Sequence, residues 1–321
     1  MLMRVFRKPR LLIVGCGDVG MRLAELARPR FRVIALTSNP ERVGILRQAG
    51  IVPLLGNLDD VSSLWRLAGL ARWVVMLAPP PGAGLHDPRS MHLTTILRKG
   101  MIGAVRAQPM RMVYASTSGV YGDCAGARVH ETRPPHPQSY RAHRRLHAEA
   151  CWRGLGRTRH ARVGILRIPG IYDAHGRSPA KRLRQGIPAL RPQDDVYTNH
   201  IHADDLARIV LFALFHADPN RIYHASDDSC IKMGEYLDLA AQEYGMPPPP
   251  RVARAQALAS GISPMALSFM TESRILDNTR MRAELGVVLC YPQVAQGLRG
   301  ACSRPLPESS GTKNGQGDLP V

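Results

Sequence analysis

The chain has 321 residues, 45% of them hydrophobic, with a formal net charge of +18 from 43 Lys and Arg against 25 Asp and Glu. That length buries a full core, as one domain with room for a smaller lobe. No apolar run approaches the roughly 18 residues of a membrane span, the basic start lacks a secretory leader, and the six cysteines include no C-x-x-C pair, which together point to a reduced, cytoplasmic protein.

Residues 1–10 read as a disordered lead-in. Leu11–Val14 then reads as a buried strand, followed by Gly15-Cys16-Gly17-Asp18-Val19-Gly20 and a helix over Val19–Ala27. Three glycines at G-x-G-x-x-G spacing between strand and helix predict a dinucleotide loop. The first makes the turn, the second admits a pyrophosphate, and the third lets helix pack on strand. Free N–H groups and the helix dipole would hold the diphosphate, so residues 15–20 are candidate cofactor contacts. A second strand, Phe31–Leu36, ends at Thr37-Ser38-Asn39 with no acid at its tip. Thr37, Ser38 and Asn39 offer donors there, and Arg42 suits a 2′-phosphate, which favours NADP over NAD. Glu41 is read as supporting the start of the next helix.

Helices over Glu41–Ala49, Val61–Leu70, Ser90–Ala107 and Tyr140–Trp152 alternate with strands at Ile51–Leu55, Trp73–Leu77, Met112–Ala115 and Val163–Ile168. This alternation predicts an α/β fold, a Rossmann-type doubly wound parallel sheet. Pro53 places the third strand at an edge, because proline cannot donate to a ladder. The Tyr140 helix opens the densest basic region, Arg141 to Arg162. A solvated face, a phosphate-lined cleft and an RNA-binding surface are its alternative readings, and the lack of interleaved aromatics argues against nucleic acid. Asp204–Phe215 is an amphipathic helix with Asp204 or Asp205 as N-cap; Arg221–Ala225 is one more strand. The expected division is a dinucleotide-binding domain over 11–233, a small C-terminal lobe over 234–300 interleaved with the core, and a disordered tail over 301–321. His143 and His147 lack an acidic or Cys partner in sequence, so no metal site is expected.

Several segments resemble one family. Val113-Tyr-Ala-Ser-Thr-Ser-Gly-Val-Tyr-Gly122 is similar to the S-S-x-x-V-Y-G element of the extended short-chain dehydrogenase/reductases, which include nucleotide-sugar epimerases and dehydratases. Leu166–Tyr172 and Asn199–Ala207 resemble two further elements of that family. Tyr223-His-Ala-Ser-Asp-Asp-Ser and Glu284-Leu-Gly286 look like its atypical YeeZ-like branch. The resemblance implies adenine- and ribose-side contacts at Asn57, Leu58, Ala78, Pro79 and Pro80. It implies a substrate oxygen oriented by Thr117, with Ser118 beside it, and distal substrate contacts at Tyr172, Arg182 and His200. It also implies pairing of two copies through the Ser90–Ala107 and Tyr140–Trp152 helices.

The family's proton-transfer pair is a tyrosine followed four residues later by lysine, the cation lowering a phenol pKa that is otherwise about 10. Aligned on Tyr140, the lysine position holds Arg144. Registered instead on Ala148-Glu149, the two positions hold Arg141 and Arg145, and Tyr140 turns about 100° away on the helix. Thr117, Tyr140 and Arg144 are the catalytic candidates, as expected of an NAD(P)-dependent oxidoreductase or epimerase-like enzyme acting on a small, nucleotide-sugar-like molecule. The rival expectation is a non-catalytic dinucleotide-binding sensor or scaffold that presents its basic helix face to RNA or a partner.

Overall fold

The computed structural model of the chain describes residues 8–101, 108–174 and 176–300. Seven strands form the central sheet: Arg10–Val14 (β1), Arg32–Thr37 (β2), Val52–Leu55 (β3), Trp73–Met76 (β4), Met110–Thr117 (β5), Ala161–Ile168 (β6) and Ile222–His224 (β7). They lie in the order β7-β6-β5-β4-β1-β2-β3, and every pair is parallel. The third strand occupies the edge that Pro53 requires.

Helices cover both faces, which is why the strands read as apolar runs rather than alternating ones. Leu11 and Ile13 meet Leu23, Ala24 and Ala27 of Asp18–Ala27 (α1) on one face. Leu12 and Val14 point oppositely, into the cluster holding Leu93 and Leu97 of Pro88–Lys99 (α3) and Trp152 and Leu155 of Tyr140–Gly156 (α4). Between α1 and α3 comes Arg42–Gln48 (α2). Each fully buried Leu or Ile side chain contributes about 1.5–3 kcal/mol, so the two layers account for most of the favourable term.

Some boundaries differ from expectation. The lead-in ends earlier than residue 10: Arg10 opens β1, and Lys8 Nζ donates to Arg28 O at 2.8 Å. Residues 1–7, the tail 301–321 and the expected helix end at 102–107 lie outside the described residues. Val61–Leu67 winds as a 3₁₀ helix capped by Asp60. Ala203–His216 (α5) is capped by His202, whose Nδ1 accepts from Asp204 N at 3.3 Å. Asp205 is buried and accepts the N–H groups of Cys290 and Tyr291 at 2.8 Å each, so it is not the cap.

Four short strand pairs tie distant segments to the rim: 128–129 with 275–276, 170–172 with 200–202, 189–190 with 251–252, and 197–198 with 231–232. Met233–Glu243 (α6) packs among them, and residues 281–289 return to the main core through Met281, Leu285, Val287 and Leu289. The lobe therefore draws on segments before residue 233 as well as after it.

Candidate cofactor and substrate site

From β1 the chain winds outward through β2 to β3, then crosses back to β4 on the other side of β1. The connections leaving β1 and β4 thus diverge, and a crevice opens at their C-terminal ends. A cavity of about 1060 Å³ runs from this crevice along the sheet's C-terminal edge to α6.

At its first end lies the glycine loop. Gly15 has φ of +90°, and a Cβ there would stand 2.3 Å from Ala78 N, so the turn seats directly on the β4 exit. Gly20 packs with its Cβ position 3.0 Å from Gly15 O. Gly17 is different, because a Cβ there would meet nothing within 4 Å. It is also the N-cap of α1, and no side chain caps that helix. The N–H groups of its first turn therefore have no intrahelical partners, and the residues that carry them line the cavity. Those features fit a dinucleotide's diphosphate. Cys16 lines the loop as a buried thiol, pushed up to about 11 by burial, against the opposing Arg42 charge.

Asp18, Val19, Thr37, Ser38, Asn39, Asn57, Leu58, Ala78 and Pro79 also line this end; Pro80 does not. Thr37 and Asn39 spend their side chains shaping the tip: Thr37 Oγ1 accepts from Asn39 N at 3.2 Å, and Asn39 Oδ1 accepts from Glu41 N at 2.9 Å. Glu41 is exposed at the start of α2 and away from the cavity wall. Arg42 reaches back across the loop, donating to Cys16 O at 2.8 Å, and lines the cavity.

The middle is built by β5 and α4. Thr117 and Ser118 line the cavity where β5 ends. Beneath them Glu149 accepts from Ser116 Oγ at 2.6 Å and from Arg167 Nε and Nη2 at 3.0 and 2.8 Å. This buried trio fixes the rotation of α4. Residues four and eight before Glu149, Arg145 and Arg141, share its face and line the cavity. The expected Tyr140–Arg144 pair is not there. Tyr140 is 72% exposed, and Arg144 is buried elsewhere with Nη1 donating to Gly84 O at 2.7 Å. Neither lines the cavity, because the helix rotation that satisfies Glu149 turns both away.

Arg145 Nη1 donates to Ala115 O at 2.8 Å and to Tyr114 Oη at 3.2 Å. The Arg141 guanidinium lies 4.1 Å from the Phe269 ring centre. Phe269, Glu272 and Arg274, which the sequence reading missed, close the cavity from the other side. Glu272 Oε2 pairs with Arg274 Nη1 at 2.9 Å, and Asn199 staples this segment down through Arg274 O and Leu276 N at 2.9 and 2.8 Å.

At the far end Tyr172, Arg182, His200, Met233 and Tyr236 line the wall. His200 stacks on Tyr236 at 4.2 Å, and burial lowers its pKa to about 3, so it is a neutral packing ring. Burial also raises the Tyr172 phenol and holds Asp227 well above the usual carboxylate range. Arg182 Nη2 donates to Pro188 O at 2.7 Å.

Seven arginines (42, 89, 141, 145, 177, 182 and 274) line the cavity against two acids, Asp18 and Glu272. Asp18 is paired with Arg177 at 2.8 Å and with Arg22 at 3.0 Å, which together hold its carboxyl below its ordinary value despite its partial burial. The interior is thus strongly electropositive and suited to anionic ligands. Among the described residues no His, Cys, Asp or Glu cluster could hold a metal, no disulfide joins the cysteines, and no helix is long and apolar enough to cross a membrane.

Three comparisons place this architecture. A conserved protein of unknown function from Silicibacter pomeroyi is 29% identical, with 91% of this chain and 97% of that one covered at a TM-score of 0.75. The Thermotoga maritima UDP-glucose 4-epimerase, solved with UDP-glucose, is 18% identical over 90% of this chain and 96% of that one at 0.71. The human epimerase family protein SDR39U1, solved with NADPH, is 17% identical over 90% and 98% at 0.67. No curated protein matches by sequence. The model of the NAD dependent epimerase/dehydratase family matches residues 11–225, two thirds of the chain and the central sheet but for Arg10, and the chain belongs to that family.

Proposed function

We propose that the protein is an NAD(P)-binding oxidoreductase or epimerase/dehydratase-like enzyme that takes NADP in preference to NAD and acts on a small, nucleotide-sugar-like molecule. The observation that carries this reading is the uncapped start of α1 facing open space at Gly17, with Arg42 beside it and no acid at the tip of β2. Residues 15–20 would hold the diphosphate, Arg42 a 2′-phosphate, and Asn57, Leu58, Ala78 and Pro79 the adenosine. When bound, the nicotinamide supplies or accepts a hydride. Thr117 would orient a substrate oxygen by hydrogen bonding, and Arg145 would hold the adjacent wall through Ala115 and Tyr114. Tyr172, Arg182 and His200 would shape the distal substrate pocket. The structural neighbours solved with NADPH and with UDP-glucose support the two ligand classes.

Calorimetric titration tests the cofactor choice. NADP is expected to bind at least tenfold tighter than NAD, and Arg42→Ala to remove most of that preference. Tighter NAD binding by the unaltered protein would overturn it. A second reading, a dinucleotide-binding sensor without turnover, is favoured by arginines standing where the family places its tyrosine and lysine. It predicts NADP binding with no oxidation of any nucleotide sugar.

A further inference from the structure

Neither of the arginines at the middle of the cavity, Arg141 and Arg145, forms an ion pair with a described carboxylate. Arg141 lies in the first turn of α4, where the helix dipole disfavours a cation, and that turn has no acid. The surrounding protein lowers its pKa, chiefly by desolvation, with Arg145, Arg144 and Arg274 acting in the same direction and Glu272 opposing. The Arg141 side chain makes no hydrogen bond to a described residue, and its guanidinium lies against the Phe269 ring in the cavity wall. Arg145, one turn on, uses Nη1 alone for the protein. Glu272, the acid whose charge acts on Arg141, is already committed to Arg274.

Thr117 and Gly119 line the same cavity as Arg141 and Arg145. The glycine loop and Arg42 serve the other end of the cavity, so a dinucleotide's own phosphates do not answer this charge.

We propose that Arg141 and Arg145, with the Thr117 hydroxyl, form a recognition site for an oxyanion, carboxylate or phosphate, carried by the second ligand next to its reacting carbon. Two guanidinium groups and a hydroxyl on adjoining walls match the several acceptor oxygens of such a group, and charge-assisted hydrogen bonds are the strong ones. A neutral sugar would leave both cations uncompensated in a partly desolvated site. The proposal relies on the nicotinamide reading only for what occupies the neighbouring end of the cavity.

The test uses the full chain, with and without saturating NADP, and calorimetry at constant ionic strength. The probes are malonate, inorganic phosphate, and the matched pair UDP-glucuronate and UDP-glucose. At least one anionic probe is expected to bind, with UDP-glucuronate at least tenfold ahead of UDP-glucose if nucleotide sugars are accepted. Arg141→Gln should weaken the anion at least tenfold, and Arg141→Lys should recover part of the loss. Malonate and phosphate arms show whether carboxylate or phosphate is preferred. Anions that bind no better than the neutral sugar, or binding indifferent to Arg141→Gln, would overturn the proposal. Failure to bind NADP alone would count against the nicotinamide reading and not against the anion site, because the arms without NADP are read independently.

Discussion

Glu149 decides which residues of α4 reach the cavity. Its carboxylate is fully enclosed with Arg167 and Ser116, and one Arg167 nitrogen, Nη1, is already without a partner. Removing the negative charge leaves a buried guanidinium uncompensated, which costs about 3–5 kcal/mol. Glu149→Gln is therefore expected to lower the urea midpoint by a corresponding amount, and an unchanged midpoint would show that the trio is not what orients the helix. At this scale the glycines were legible, because a G-x-G-x-x-G turn between strand and helix leaves few conformations. The tyrosine position was not. Tyr140 and Arg141 are neighbours in sequence, and a shift of one residue rotates a helix by 100°. Only the alignment on Ala148-Glu149 carried the answer, since a buried acid facing Arg167 on β6 fixes rotation better than an exposed terminal tyrosine does.

The long elements announced themselves through apolar runs and 3.6-residue periodicity, and all seven central strands fall within two or three residues of where the pattern puts them. The short ones did not. Strands of two or three residues such as 189–190 and 251–252 carry no period to read, and their partners lie tens of residues away. The cap of α5 shows the same limit. Asp204 and Asp205 have the right chemistry, but Asp205 is drawn into the backbone of 290–291, and His202 supplies the cap from the strand before it. Phe269, Glu272 and Arg274 were missed for a related reason. They reach the cavity because Asn199 and the 128–129 pairing hold their segment against the rim, a contact between residues far apart in the chain.

Across the whole molecule, buried histidines set the response to acid. His200 and His224 are both lowered to about 3, His200 by burial and His224 chiefly by burial. In the unfolded chain they titrate near 6.5. Below that value the unfolded state takes up two protons that the native state refuses, so their contribution is complete above pH 6.5 and is lost as pH falls toward 3. Burial raises the Asp227 carboxyl, which acts in the opposite direction to the histidines. The two histidines make stability fall as pH drops from about 6 toward 4. Denaturant midpoints at pH 7, 6 and 5 check this, and a midpoint that rises on acidification would contradict it.

The proposed function requires a diphosphate seated at the start of α1. Gly17→Ala probes that directly, since an added methyl meets nothing in the protein and φ there is an ordinary −80°. The variant should melt with the unaltered chain yet bind NADPH at least tenfold more weakly, followed by nicotinamide fluorescence. Equal NADPH affinity in the two proteins would contradict the account, as would an unaltered chain that ignores the dinucleotide at millimolar concentration.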